Sequence, residues 1–283
     1  MQARQKRRWG DRYDGRKVRK LDPMFLLIPH VMRTRVDAQV YMEEELNITA
    51  MEALVSQEKE NIPGLTLLHV ILAALVRMVS QRPRLNRFSS GGNIYARNYF
   101  RISMMVKEKM SDGAPEACVM PCFELSDCLA DVVLGFNAAR DEALRAAGNS
   151  TDGTVRILGA IPGCIRRGFI NLMRGLDAVG WMPRRINRVS PFHSSFFVTS
   201  MGSIGIDPIY HHLYEFGTTS VFIALGKKRG EREDRTMLFR FVLDERICDG
   251  YYYAQSVRKL RSYFKNPAQL LKPPEEVFFD DGI

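Results

Sequence analysis

Near its C-terminus the chain reads "DERICDG", with two acids four residues apart: Glu245, and Asp249 ahead of Gly250. Apolar and β-forming residues fill Met237 to Leu243, Asp249-Gly250 is a turn dipeptide, and the apolar positions that follow recur at helical spacing. Glu245 is therefore expected at the end of a buried strand, where a carboxylate can serve as a general base. A free glutamate titrates near 4.3 and a thiol near 8.5, so taking a proton from a thiol is uphill by roughly 4 units, or about 5 to 6 kcal/mol. Burial that lifts the carboxyl to about 6 or 7 recovers roughly half of that. A hydroxyl or amine acceptor is the other proton source such a base could use. The competing reading has no chemistry in it: Glu245 is a strand-end acid paired with Arg246 or another arginine. Cys118, Cys122, Cys128, Cys164 and Cys248 are odd in number and match no zinc spacing. They read as reduced thiols of a cytoplasmic protein, with no metal site expected.

The elements that must hold these groups can be traced along the chain. "AQVYMEEELNITAMEALVSQEKE" reads as a strand entering a helix capped near Asn47 or Thr49. "GLTLLHVILAALVRMVSQRP" is apolar almost all round, hence a buried helix stopped by Pro83, with His69 in its apolar surroundings. His30 is likewise expected in the core. A Gly91-Gly92 turn precedes the strands "NIYARN" and "FRISMMVKE"; "ACVMPCFEL" is a further strand, and a helix starts behind Ser126 as N-cap. Late strands follow at "SSFFVTSMG" and "SVFIALGKK". The sum is one mixed α/β domain with a dominant sheet, over about 36–272, preceded by a basic segment over 1–35 and followed by a tail over 273–283, an ordered or trailing arm.

Between about 152 and 190 the pattern changes. Large apolar residues mix with Arg156, Arg166, Arg167, Arg174, Arg184, Arg185 and Arg188, and Gly and Pro are expected to break the segment into short helical pieces. Such a segment either packs on the core and snorkels its arginines, or lies in an anionic membrane interface or covers a long acyl chain. The formal net charge is +9, with nine Lys or Arg against two Asp in the first twenty residues. No nucleic-acid motif accompanies that charge, so nucleic acid is not expected as a partner. Nor does the sequence show a secretory leader or the roughly 18 uninterrupted apolar residues of a membrane span.

"DERICDGYYYAQSVRKLRSYFKNP" resembles the end of the catalytic domain of 2-oxoacid dehydrogenase dihydrolipoyl acyltransferases, which share their fold with chloramphenicol acetyltransferase. "FFVTSMGSIG" resembles that family's F-T-I-S-N-L-G-x-x-G strand and turn. "ILAALVRMVSQRPRLNRF" with "NIYARNYFRISMMVKE" resembles its helix, P-x-x-N and paired strands. The similarity spans most of 36–270 apart from the basic insertion. It implies a chloramphenicol acetyltransferase-like mixed sheet flanked by helices, a trimer with active sites between subunits, and coenzyme A or an acyl-CoA as co-substrate with an unknown acceptor.

The resemblance also assigns roles. Glu245 stands where the family has its histidine base, in H-x-x-x-D-G. Thr199 matches the hydroxyl that hydrogen-bonds the tetrahedral oxyanion. Asp249 matches an aspartate held by an arginine from the N-terminal end of the domain, for which Arg16 or Arg19 is the candidate. Because the base is changed, His211, His212 and His193 are auxiliary candidates. Neither a lipoyl domain nor a subunit-binding domain fits in the first thirty-five residues, so a stand-alone enzyme is expected rather than the core of a 2-oxoacid dehydrogenase complex. A trimer that binds coenzyme A or a partner without catalysis, and a membrane-surface protein that uses the basic insertion, are the alternatives.

Overall fold

The computed structural model describes residues 7–107, 116–160 and 162–283, and of 147–160 the helical backbone alone. Strand alternation builds its main sheet. In β10 (Thr236–Asp244), Met237, Phe239, Phe241 and Leu243 enter the main core, while Arg240 and Val242 face the other way. The strand order is β2 (Gln39–Asn47), β10, β9 (Val221–Arg229), β8 (Phe196–Ser200), β5 (Phe100–Lys107), β6 (Glu116–Val119), with β7 (Cys122–Phe123) also on β5. β8 runs parallel to β5 and β9, and the remaining pairs are antiparallel. A second sheet joins β1 (Gly15–Lys17), β4 (Asn93–Arg97) and β3 (Arg87–Ser90).

Helices cover one face of the main sheet. α2 (Thr49–Glu58), α3 (Leu67–Gln81), the start of α4 (Leu129–Ala160) and α7 (Gly250–Lys265) all send side chains into the core with Phe196, Val198, Ile223 and Phe239. α3 is buried on every side from His69 to Ser80, as its all-round apolarity predicts. Its capping box joins Thr66 to His69, and Pro83 opens the turn after it. α2 starts at Thr49, whose N–H donates to Asn47 Oδ1 at 3.0 Å. The other sheet face carries a smaller cluster of Phe197, Phe222, Val242 and Leu213.

Several expectations are corrected. "ACVMPCFEL" is two strands, since Pro121 has no N–H to continue a ladder. Ser126 does not cap the following helix: α4 begins at Leu129, and Asp131 reaches back to the Cys128 N–H at 3.0 Å. The basic insertion is not a string of short pieces. α4 runs on through its glycines to Ala160, α5 (Gly163–Ala178) adds sixteen residues, and α6 (Arg184–Val189) ends the segment; the side chain of Arg156 lies outside the described residues. His30, on α1 (Pro23–Val31), is exposed rather than core, lying against the Gly91-Gly92 turn. The basic N-terminal segment is built into the fold from Asp11 onward, through β1 and the buried Arg12 and Asp14. The C-terminal tail is an ordered arm: Asp280 accepts from Arg87 twice at 2.6 Å, and Phe278 N–H donates to Ser80 O. Among the described residues no helix is long and apolar enough to cross a membrane.

Candidate active site

β10 ends one residue before Glu245, whose N–H donates to Ala38 O at 2.8 Å and whose side chain is half-buried. The expected pairing with Arg246 is absent. Arg246 instead grips Asp244, through Nε at 2.8 Å and a second guanidinium nitrogen at 2.7 Å, and Asp244 is fully buried. The Arg246 N–H also donates to that carboxylate, and the Tyr253 hydroxyl donates to the Asp244 carbonyl at 2.7 Å. Glu245 to Ile247 form a turn closed by the Ile247 N–H on the Asp244 carbonyl at 3.2 Å, and this turn folds Arg246 back onto Asp244 while Glu245 stays half-buried. Among the described residues Glu245 has no ion pair. Burial, and after it the charges of Cys248, Asp244 and Glu245, push the nearby Tyr253 phenol well up.

Asp249 is exposed and accepts the Tyr252 N–H at 2.7 Å as N-cap of α7. The pairing with Arg16 or Arg19 is corrected: both arginines bind Asp11, at 3.1 and 3.0 Å. Proximity in the basic segment decides this, since β1 pairs with β4 and carries Arg16 onto the second sheet, and Arg19 follows just beyond it, its N–H donating to Gly282 O.

Thr199 lies on β8, opposite Ala224 of β9 and, one strand further, Arg240 of β10. By alternation it shares the face of Phe197, away from the main core. Glu245 lies five residues beyond Arg240, which places it roughly 16 Å along the strands and about 10 Å across them from Thr199. The two do not meet within one chain. The loop after β8 folds over the Thr199 face: Tyr210 lies over Arg240 with its ring centroid 3.9 Å from the guanidinium and donates to Glu43 at 2.9 Å. Exposed Ile206, Ile209, Tyr210 and Tyr41 crowd there.

His211 stacks on Phe222 at 4.2 Å, on that same face, and its buried Nε2 has no hydrogen-bond partner among the described residues. Burial first, and the His212 charge second, hold its pKa below the ordinary value, which favours the neutral imidazole. His212 is exposed and edge-on to Tyr214. His193 does not join this group. It is fully buried, with Nδ1 2.7 Å from Ser190 Oγ and Nε2 3.4 Å from Asp177, without hydrogen-bond geometry. Asp177 in turn binds Arg12 at 2.6 Å, and Arg12 binds Asp14 at 2.8 Å. Burial alone would raise the Asp177 carboxyl, but His193 and Arg12 outweigh it and hold the pKa at about 2.

Beside Ser200 a groove of about 520 Å³ is lined by Leu67, Leu68, Ile71, Leu225 and Met237, together with Lys227 and Lys228. Apolar walls with a few charged groups suit a chain-like ligand bearing anionic groups. The buried pairs Asp244–Arg246 and Asp177–Arg12 were missed in the sequence. The first carries a readable signal, opposite charges two apart at a strand end; the second spans 165 residues and carries none.

The likeness to known proteins lies in structure alone: no family model and no curated protein sequence matches the chain. The dihydrolipoamide acetyltransferase of Azotobacter vinelandii, whose catalytic mechanism has been probed at a serine, a histidine and an asparagine, superposes with a TM-score of 0.54 at 16% identity, covering 82% of this chain and 84% of that one. A probable dihydrolipoamide acetyltransferase from Listeria monocytogenes gives 0.53 at 14%, covering 87% and 93%. A truncated catalytic core of the 2-oxoacid dehydrogenase complex from Thermoplasma acidophilum gives 0.53 at 16%, covering 88% and 97%. The chain has the fold of these acyltransferase cores.

Proposed function

We propose that the protein is a coenzyme A-dependent acyltransferase whose site is completed by a second copy of the chain, in a trimer. The observation that carries this reading is the half-buried Glu245 carboxylate, left without an ion pair among the described residues while Asp244 takes Arg246. Glu245 accepts the acceptor's proton, and Thr199 from a neighbouring copy donates to the tetrahedral oxyanion. Asp249 sets the start of α7 behind Glu245. The separation of Glu245 and Thr199 in one chain, and the exposed Ile206, Ile209, Tyr210 and Tyr41 beside the Thr199 face, both support a second copy seated there. The groove beside Ser200 suits the arm of an acyl-CoA. His211, on the Thr199 face and with its neutral imidazole favoured, is an auxiliary base within the chain.

The test is acyl-CoA hydrolysis and transfer across thiol, amine and hydroxyl acceptors. Glu245→Gln keeps the shape and removes the proton acceptor, so turnover should drop by about 10² to 10⁴. Equal background rates for wild type and variant would leave a trimer that binds coenzyme A without reacting.

A second reading rests on α5. Ile165, Phe169 and Leu172 are exposed along one stripe of that helix, and exposed Arg166, Arg167 and Arg174 flank them. That arrangement suits an anionic membrane surface.

A further inference from the structure

A pocket of about 170 Å³ lies where three remote segments meet: Arg33 and Arg35 ahead of β2, Arg174 and Asp177 on α5, and Arg246 after β10. The Gly91-Gly92 turn and Glu215 close it. Both turn glycines have positive φ, and a Cβ on Gly91 would stand 2.3 Å from the Ala178 carbonyl, so the turn is held tightly against α5.

The charges inside are unevenly matched. Asp244 takes Arg246 and Arg12 takes Asp177. Arg35 is 5% exposed, yet its guanidinium meets only carbonyls, Glu215 O at 3.2 Å and Ser89 O at 2.9 Å; the Glu215 carboxylate accepts from the Arg35 backbone N–H instead. The Arg35 Nε is buried and has no hydrogen-bond partner among the described residues. Arg33 and Arg174 are exposed at the same pocket, and neither has an ion pair among the described residues. A buried guanidinium with an unmade hydrogen bond is costly unless an anion completes it.

We infer that this pocket is an anion site that takes a phosphoryl group. A carboxylate is planar and is satisfied by one guanidinium fork, whereas three arginines not taken by a carboxylate, Arg33 and Arg35 from one segment and Arg174 from another, suit a tetrahedral oxyanion. The volume holds a free phosphate or the phosphate end of a larger ligand, not a whole nucleotide. The site does not depend on the acyltransferase reading, because none of its residues is Glu245 or Thr199 and one wall is the basic insertion.

The experiment is calorimetric titration of the full chain at constant ionic strength, with inorganic phosphate, phenyl phosphate and malonate as separate probes. One phosphate per chain should bind saturably and more tightly than malonate. Arg33→Ala with Arg174→Ala should weaken it by at least about tenfold while leaving the unliganded melting temperature unchanged. Arg166→Ala with Arg167→Ala, which removes equal charge from α5 away from the pocket, should leave affinity unchanged. Arg35→Lys keeps the charge without the fork and should also weaken binding. Tighter phenyl phosphate identifies a phosphate ester as the source, and tighter inorganic phosphate a free anion. No saturable binding, malonate bound as well as phosphate, or equal loss in both double variants overturns the inference.

Discussion

Glu245, Asp244 and Asp249 lie within six residues and do three different jobs. Asp249 is exposed and caps α7, so Asp249→Asn, itself a good N-cap, should change stability by no more than a few tenths of a kcal/mol, and Asp249→Ala should cost about 1 kcal/mol. Asp244→Ala leaves Arg246 buried and unpaired and should cost about 3 to 5 kcal/mol. Urea denaturation orders the three variants; a large loss in Asp249→Asn would mean that Asp249 holds a buried pair after all. Asp177 sets an acid limit. Its carboxyl sits at about 2 in the fold, against about 3.9 for a free aspartate. Its contribution, on the order of 2 to 3 kcal/mol, is therefore whole above pH about 4 and is lost as pH falls toward and through about 2. Stability measured from pH 6 downward should fall less steeply over that window in Asp177→Asn; parallel curves would remove Asp177 from the acid response.

At the scale of elements, α5 is only loosely tied to the core. Met173 and Asp177 anchor it, while Ile165, Phe169 and Leu172 stay exposed along a neighbouring stripe. If that stripe lies on lipid, the protein should bind vesicles rich in phosphatidylserine and release as salt is raised, because surface charge is screened over about 8 Å at physiological ionic strength. Phe169→Asp should abolish the binding. Equal partitioning to neutral and acidic vesicles would return α5 to a helix packed on its own domain with its arginines in water.

For the whole molecule, the expectation of a trimer does not rest on apolar sheet edges. The β2 edge carries Glu43, Glu44 and Glu45, whose charges resist strand pairing there. What supports a second copy is the Thr199 face and the distance to Glu245. Sedimentation should give a trimer at micromolar concentration. Glu245→Gln and Thr199→Val chains, each nearly inactive alone, should regain part of the activity when refolded together, because some shared sites then hold an intact Glu245 and an intact Thr199. No recovery in mixed assemblies would place the whole site inside one chain.

The sequence by itself determined whatever depends on near neighbours. The run of apolar and β-forming residues from Met237 to Leu243 set β10, all-round apolarity set the buried α3, and the turn dipeptide Asp249-Gly250 set the start of α7; together with the order of the motifs these made the acyltransferase-core fold legible. Tertiary structure decided what depends on remote partners. Whether Arg246 took Glu245 or Asp244 turned on the tight turn after β10, which folds Arg246 back onto the fully buried Asp244. Arg12 found Asp177 across 165 residues, and His193, adjacent in sequence to the Thr199 strand, was drawn into that buried pair instead of the Thr199 face. α4 runs through Gly148, Gly153 and Gly159 to Ala160, where the sequence alone predicts short helical pieces from about 152. Local periodicity follows from backbone geometry and is written in every few residues. Charge pairing in a dry interior is settled by which groups the fold brings within a few ångströms, where an unpaired charge costs most.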